Sequence, residues 1–470
     1  MAPPCHHDPS YGITRPPLAG CLPAWPLQPR LPGVRIPALA LIPALTATVA
    51  ALADNWPAWR GGSGNGIAQE TRLPLRWTAN QNVRWRVPLP ERGNSTPIVW
   101  GNRVFITQAV GDRRTVMCFD RNTGTALWQA GPSWTEAERT HEDNPPCSSS
   151  PTTDGERVVA WFGSAGVFSY DLEGKELWRR DLGRQSHQWG YAASPVLHGE
   201  LCIVPFGPGE RNFLIGLNKR TGRTLWQHDL PGVAAGAAWE ELGGQPSNSN
   251  PPANGTVSEA SGSWATPLVV RNGTREELIL SCPLRVIALA PRTGQTLWTC
   301  GGPNIGVYSS PFFGDEVIGI TANGFTNIVM AVRPGGQEEV SATHRLWCRT
   351  LPRSQASIGS GVIHDGHLYQ MTYMGFAQCL ELQTGQTVWE ERLAGSGARH
   401  SSWSSPVLAG DRLYLPNQNA DVFVVRAAPQ FECLATNVIG GEPMNASLAV
   451  SDGAVFLRTH ARLWCIAEAE

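Results

Sequence analysis

The chain has 470 residues and a net charge of −2, with 41% hydrophobic and only 16% charged residues. That balance offers no electrostatic attraction for nucleic acid or an acidic membrane surface. With 50 glycines, 38 prolines and 19 tryptophans, it argues against a helical protein and for many short strands joined by turns.

Residues 1–33 are proline-rich and show no periodicity. The segment VRIPALALIPALTATVAALA (34–53) is apolar, is preceded by Arg30, contains Arg35 near its start and ends Ala51-Leu52-Ala53. A charged start, an apolar stretch and a small-residue A-x-A end are the features of a secretory signal peptide. The expected boundaries are an extension plus signal peptide over 1–53 and a mature domain over 54–470. The expected location is periplasmic or secreted, with no transmembrane span after cleavage.

From there the chain repeats itself. A Ser or Thr, usually followed by Pro and an apolar pair, recurs at Thr96, Ser150, Ser194, Thr266, Ser310, Ser360, Ser405 and Ser447. A turn glycine, an alternating strand and a second strand follow each one. The second strand carries a column that is mostly small: Cys118, Ser169, Gly216, Ala288, Ala331, Cys379, Val424 and Cys465. Next comes a turn and a tryptophan strand, as in RNTGTALW (121–128), PRTGQTLW (291–298) and QTGQTVW (383–389). Gly124, Gly222, Gly294 and Gly385 are free to take the positive φ of a tight hairpin. Trp85, Trp128, Trp178, Trp226, Trp298, Trp347 and Trp389 are expected to fill the gap between neighbouring sheets, each with its N–H on a backbone carbonyl. The small column is expected where sheets approach each other.

Four strands per unit, with units of roughly 42–50 residues, predict the blades of a β-propeller. The fold class is therefore all-β, with eight four-stranded antiparallel blades. The last unit ends without a tryptophan strand, and NVRWRVP (82–88) is a spare one. Its pairing with the last blade would close the ring and leave no free edge. The seventh blade's outer strand is placed near Phe431–Ala435. Residues 231–263, rich in Gly, Ser, Asn and Pro in their second half, are expected to form a flexible insertion.

Nine of the eleven cysteines follow Asp54, and no C-x-x-C or C-x-x-C-H occurs, so zinc ribbons and c-type haem have no support. Cys118, Cys379 and Cys465 read as buried packing thiols, Cys147 as an exposed loop residue, and Cys282 with Cys300 as a disulfide candidate.

In a propeller, the loop entering each innermost strand faces the axial funnel. Two residues before each Ser/Thr stand Asn94, Ser148, Ala192, Trp264, Tyr308, Ile358, Trp403 and Asn445. With His141, Asn144, His187, Trp189 and His400 nearby, they define a candidate funnel site for a small ligand, peptide or metal. Glu142 and Asp143 are the weak Ca²⁺ candidates, since oxygen ligands suit that ion. No catalytic residue is assigned, and no Ser-His-Asp set or phosphate loop stands out.

The pattern [A/C/S]-x-[D/N/E]-x-x-T-G-x-x-[L/V]-W resembles the pyrroloquinoline-quinone-like propeller repeat, over roughly residues 56–468. The chain is similar to BamB-type envelope propellers, and WPAWRGGSGNG (56–66) resembles secreted propellers of Planctomycetes-type bacteria. The resemblance implies one of two functions. One is a non-catalytic binding scaffold with an envelope protein partner and no cofactor, as in outer-membrane-protein assembly. The other is an oxidoreductase holding pyrroloquinoline quinone and Ca²⁺ on the axis. The quinone enzymes typically carry an adjacent-cysteine pair and long insertions. This sequence has no Cys-Cys and lacks those insertions, which favours the scaffold. Carbohydrate binding in the aromatic-rimmed funnel is a further reading that the sequence does not separate from the scaffold.

Overall fold

A computed structural model describes residues 54–209, 211–230, 262–322, 327–352 and 356–468, all within the unit Leu52–Glu470. Residues 1–53 and 231–261, which contain the expected signal peptide and most of the expected insertion, lie outside the described residues.

Eight four-stranded antiparallel sheets make an eight-bladed propeller. Blades 1 to 7 span 98–130, 152–180, 196–229, 268–301, 312–351, 362–392 and 407–437. Blade 8 consists of Ala449–Ser451, Ala454–Arg458 and Arg462–Ala467, with Val83–Pro88 as its outer strand. The ring closes as the sequence predicts. The outer strand of blade 7 is Cys433–Asn437, slightly later than expected. Two short parallel strands extend the blades: Glu338–Glu339 lies beside Trp298–Thr299 outside blade 4, and Ile67–Ala68 lies beside Leu408–Ala409 at the inner edge of blade 7.

The hydrophobic core is distributed between blades. Val159, Trp161 and Trp178 of blade 2 pack with Cys202, Val204 and Ile215 of blade 3, for example. Middle strands are buried on both faces, as in Leu201–Phe206, and read as continuous apolar runs. Outer strands such as Glu176–Arg180 bury little beyond the tryptophan.

The repeated turn and the tryptophan form one joint. Trp85, Trp128, Trp178, Trp226, Trp347 and Trp389 each donate their indole N–H to a carbonyl of the next blade, those of Arg121, Leu172, Lys219, Pro291, Leu382 and Ala428. In five of these joints, all but that of Trp389, the turn glycine of the next blade lies against the ring. A Cβ on Gly124 would stand 2.7 Å from Trp85, and one on Gly294 2.5 Å from Trp226. Trp298 departs from the pattern. Its N–H goes instead to Glu277 Oε2 at 2.8 Å. Glu277 is fully buried, pairs with Arg275 and accepts the Gly335 N–H.

The small column lies where neighbouring blades approach, as expected: Cys118, Ala288, Ala331, Cys379 and Cys465 each pack in a cluster with strands of the next blade. Cys118, Ser169, Gly216, Ala288, Ala331, Cys379 and Cys465 are the cross-strand partners of the tryptophans within the same blade. A bulky residue there would collide with the indole: a Cβ on Gly216 would stand 2.3 Å from Trp226. Blade 7 reverses the sizes, with Val424 opposite Ala435.

Two cysteine expectations are corrected. Cys147 is fully buried, and burial pushes its thiol up to about 12. Cys282 and Cys300 are free. They lie on the second and fourth strands of blade 4, about 9–10 Å apart by strand spacing. A disulfide needs Cα atoms within about 7 Å.

Candidate functional site

The Ser/Thr that opens each repeat forms a belt around the axis. The backbone N–H of Thr96 donates to Ser150 Oγ (2.9 Å), Ser150 to Ser194 (3.0 Å), Ser194 to Thr266 (2.9 Å) and Thr266 to Ser310 (2.8 Å). Ser310 donates to Ser360, Ser360 to Ser405 and Ser405 to Ser447 (2.9 Å each), and Ser447 back to Thr96 Oγ1 (3.0 Å). The belt explains why only a small hydroxyl residue serves here. The innermost strands converge, and each N–H needs an acceptor short enough to fit between them.

On one side of the belt the chain's own N-terminal segment crosses the axis. Asn55 caps Gly101 of blade 1 (2.7 Å), Trp56 pairs with Val99, and the Pro57 carbonyl accepts Thr153 N–H of blade 2 (2.9 Å). Arg60 reaches the carbonyls of Ser360 (3.0 Å) and Gly361 (2.6 Å) in blade 6. Asn65 accepts Phe313 N–H of blade 5 (3.0 Å), and the Gly66 carbonyl accepts Leu408 N–H of blade 7 (2.8 Å). This plug is the WPAWRGGSGNG stretch. Its glycines allow a compact loop: Gly61, Gly64 and Gly66 all have positive φ.

On the other side of the belt a cavity of about 710 Å³ opens along the axis. All eight residues of the column two before the belt line it: Asn94, Ser148, Ala192, Trp264, Tyr308, Ile358, Trp403 and Asn445. Trp59 of the plug also lines it, as do Asn144 and Trp189. Trp264 is fixed by its N–H on the Gly190 carbonyl (3.0 Å) and by the Tyr308 ring, 5.1 Å away between centroids.

The histidines stand behind this lining. His141 stacks on Trp189 at 4.0 Å, and His187 meets Trp264 edge-on at 5.0 Å. His400 does not line the cavity, and its carbonyl lies where a Cβ on Gly375 would collide. Glu142 is exposed. The carbonyl of Asp143 accepts the amides of Asn94 (2.7 Å) and Asn445 (3.1 Å), so its backbone ties blades 1 and 8 together at the mouth. Among the described residues no group of three His, Cys, Asp or Glu side chains is placed to hold a metal.

Six lining residues, Trp59, Asn327, Ala356, Gly359, Tyr373 and Met374, were not singled out from the sequence. Tyr373 and Met374 sit between the second and third strands of blade 6. Strands alternate in direction, so that loop and the loop entering the first strand share one end of the blade. The topology therefore carried the signal for them.

A family model described as outer membrane protein assembly factor BamB matches residues 75–189 and 283–429. The chain belongs to this family of pyrroloquinoline-quinone-like propellers. No curated protein sequence matches it. Among solved structures it is similar to BamB from Moraxella catarrhalis, with 13% identity over 82% of this chain and 96% of that one and a TM-score of 0.54. It is also similar to quinohemoprotein alcohol dehydrogenase from Comamonas testosteroni, with 11% identity over 89% and 81% and a TM-score of 0.62. A europium-containing methanol dehydrogenase gives 11% identity over 88% and 98% and a TM-score of 0.53. At these identities the likeness is one of fold.

Pyrroloquinoline quinone, the cofactor of the alternative reading, carries several carboxylates and, with Ca²⁺, needs both cationic and acidic partners in its site. No described residue lining the cavity is charged. Arg60, the nearest plug cation in sequence, is buried behind Trp59 and engaged by the carbonyls of Asn65, Ser360 and Gly361. The described residues do not fit the quinone with its metal.

Proposed function

We propose that the chain is a non-catalytic binding protein of the cell envelope, exported by its N-terminal apolar segment and holding a partner or ligand on a rigid ring. The observation that carries this reading is the uncharged lining of the axial cavity. It offers hydroxyls, amides and aromatic faces, but no acid–base pair, no activated nucleophile and no metal cluster among the described residues. Membership of the BamB-like family supports an envelope role.

The test is a titration of the purified protein with pyrroloquinoline quinone and Ca²⁺, following ligand absorbance and thermal stability together. A ligand bound only by the folded state must raise apparent stability. The expected result is no saturable binding. Saturable binding lost in Trp264→Ala and Trp403→Ala would replace this reading with the oxidoreductase one. Cell fractionation and N-terminal sequencing test export. An envelope fraction beginning near Asp54 is expected, and a cytoplasmic protein retaining residues 34–53 would overturn it.

A further inference from the structure

The axial cavity selects its ligand through three features. The first is the belt. Thr96, Ser150, Ser194, Thr266, Ser405 and Ser447 all line the cavity. Each hydroxyl oxygen accepts a neighbour's N–H, and no described residue accepts the hydroxyl's own proton. Accepting a hydrogen bond polarises a hydroxyl and makes it a better donor. The deep end of the cavity is thus a circle of O–H donors that water or a ligand must satisfy.

The second feature is the aromatic mouth. Trp189, Trp264, Tyr308, Tyr373 and Trp403 line it, and Trp59 lines the cavity from the plug. Trp189 and Trp264 are held in place by their stacking and hydrogen-bond partners, so little order is lost when a ligand meets them. The third is neutrality, since no described lining residue carries a charge.

Each feature excludes a ligand class. A phosphorylated or carboxylated ligand would lose its hydration without gaining a cation. A wholly apolar ligand would strip water from the belt and leave its donors unmet. A peptide main chain would find the belt's backbone N–H groups already spent between blades. What remains is a molecule with many hydroxyls, no charge and apolar ring faces. We propose that the axial cavity binds an uncharged saccharide, with sugar rings against the aromatic mouth and sugar hydroxyls on the belt. This rests on the non-catalytic reading above, and the volume of about 710 Å³ lies within the usual range of ligand pockets.

The test is calorimetry and tryptophan fluorescence of the purified protein with maltohexaose, cellohexaose and chitohexaose, against oligogalacturonate and glucose 6-phosphate as charged controls. At least one neutral oligosaccharide is expected to bind saturably, with the charged ligands at least about tenfold weaker. Trp403→Ala should weaken binding about tenfold or more. Ala192→Trp fills the cavity without deleting a side chain and should do the same with an unchanged circular-dichroism spectrum. Failure of all three neutral oligosaccharides, equal binding of the charged ones, or unaltered affinity in Ala192→Trp would overturn the proposal. Oxidation of a bound saccharide with an electron-accepting dye would overturn the non-catalytic reading and leave this site standing.

Discussion

The backbone N–H of Ser447 donates to Oγ1 of Thr96 across 3.0 Å, although the two residues lie 351 positions apart. This bond joins the last repeat to the first and completes the belt. Arg458 strengthens the same joint. From blade 8 its guanidinium reaches the carbonyls of Ser95 (3.2 Å) and Thr107 (2.9 Å) and Gln108 Oε1 (2.7 Å) of blade 1. Thr96→Val keeps the shape of the side chain and removes the acceptor, leaving the buried Ser447 N–H unpaired. The expected cost is about 1–3 kcal/mol. Thr96→Ser keeps the acceptor and should cost much less. Chemical denaturation of both variants checks this. Equal stabilities would show that the belt contributes nothing to closure.

Trp85 and Gly124 make the equivalent joint at the rim. Trp85 belongs to the strand that precedes blade 1 in sequence and completes blade 8, and its N–H lies 2.7 Å from the Arg121 carbonyl. Trp85→Ala empties a buried site between blades 8 and 1 and should cost about 3–5 kcal/mol. Gly124 has φ +72°, and a Cβ there would stand 2.7 Å from the Trp85 ring. Gly124→Ala should therefore destabilise by at least about 1 kcal/mol. Part of that loss is steric and should be relieved in the Trp85→Ala background. A double-mutant cycle from thermal melts measures it, and strict additivity would contradict the docking geometry.

The ring was legible in the sequence because each blade repeats the same physical requirements. A Thr-Gly turn needs positive φ, and an indole needs a small residue opposite it and a carbonyl beyond it. The funnel column was legible for a related reason: a fixed offset from Thr96 and its counterparts places Asn94, Trp264 and Trp403 at the same height in the ring. The plug was not legible. Trp59 and Arg60 occur once, outside the repeat, and their contacts to blades far along the chain leave no periodic trace. The small column was legible at the approach of neighbouring blades, but its pairing with the tryptophans inside each blade was not, because spacing along one strand does not show which cross-strand neighbour a residue faces. His141 and His187 carry chemistry in principle, yet only the fold shows their rings turned toward Trp189 and Trp264 as supports.

Arg60 is buried, and among the described residues no carboxylate pairs with it. Burial pulls its guanidinium down to about 9, so it stays charged at neutral pH. Its charge is offset by the carbonyls of Asn65, Ser360 and Gly361. Arg60→Met leaves those carbonyls without their donor and removes the link between plug and blade 6. The plug should then open locally while the blades persist, because it forms one short parallel ladder, at Ile67–Ala68, and one bridge, Trp56 with Val99, and otherwise rests on single contacts. Hydrogen–deuterium exchange should rise over residues 54–68 well before it rises in the blades. Unchanged exchange there in Arg60→Met would show that the plug is held without this side chain.

Two groups give the stability a pH dependence of opposite sign. His460 is pulled down to about 4, first by burial and then by Arg458, Arg92 and Arg399, with Asp143 opposing. Neutral, its ring lies 3.2 Å from Asn94 Oδ1 at the mouth. Its folded value lies below its ordinary one near 6.5, so its contribution is present above pH 6.5 and is lost as pH falls toward 4. Glu70 is pushed up to about 7, first by burial and also by Asp54 and Asp452, while the Gly453 N–H and Arg121 oppose. Its folded value lies above the ordinary 4.5, so its contribution is complete below pH 4.5 and is lost as pH rises toward 7. Between these limits the two slopes partly cancel in the native chain. His460→Gln should remove the acid-side loss and leave stability falling as pH rises from 4.5 to 7. Glu70→Gln, an uncharged analogue of the protonated acid, should remove that fall and expose the loss on acidification from 6.5 to 4. Melting temperatures across this range for the native chain and both variants decide the matter. Profiles parallel to that of the native chain would mean that neither burial perturbs titration in the folded ring.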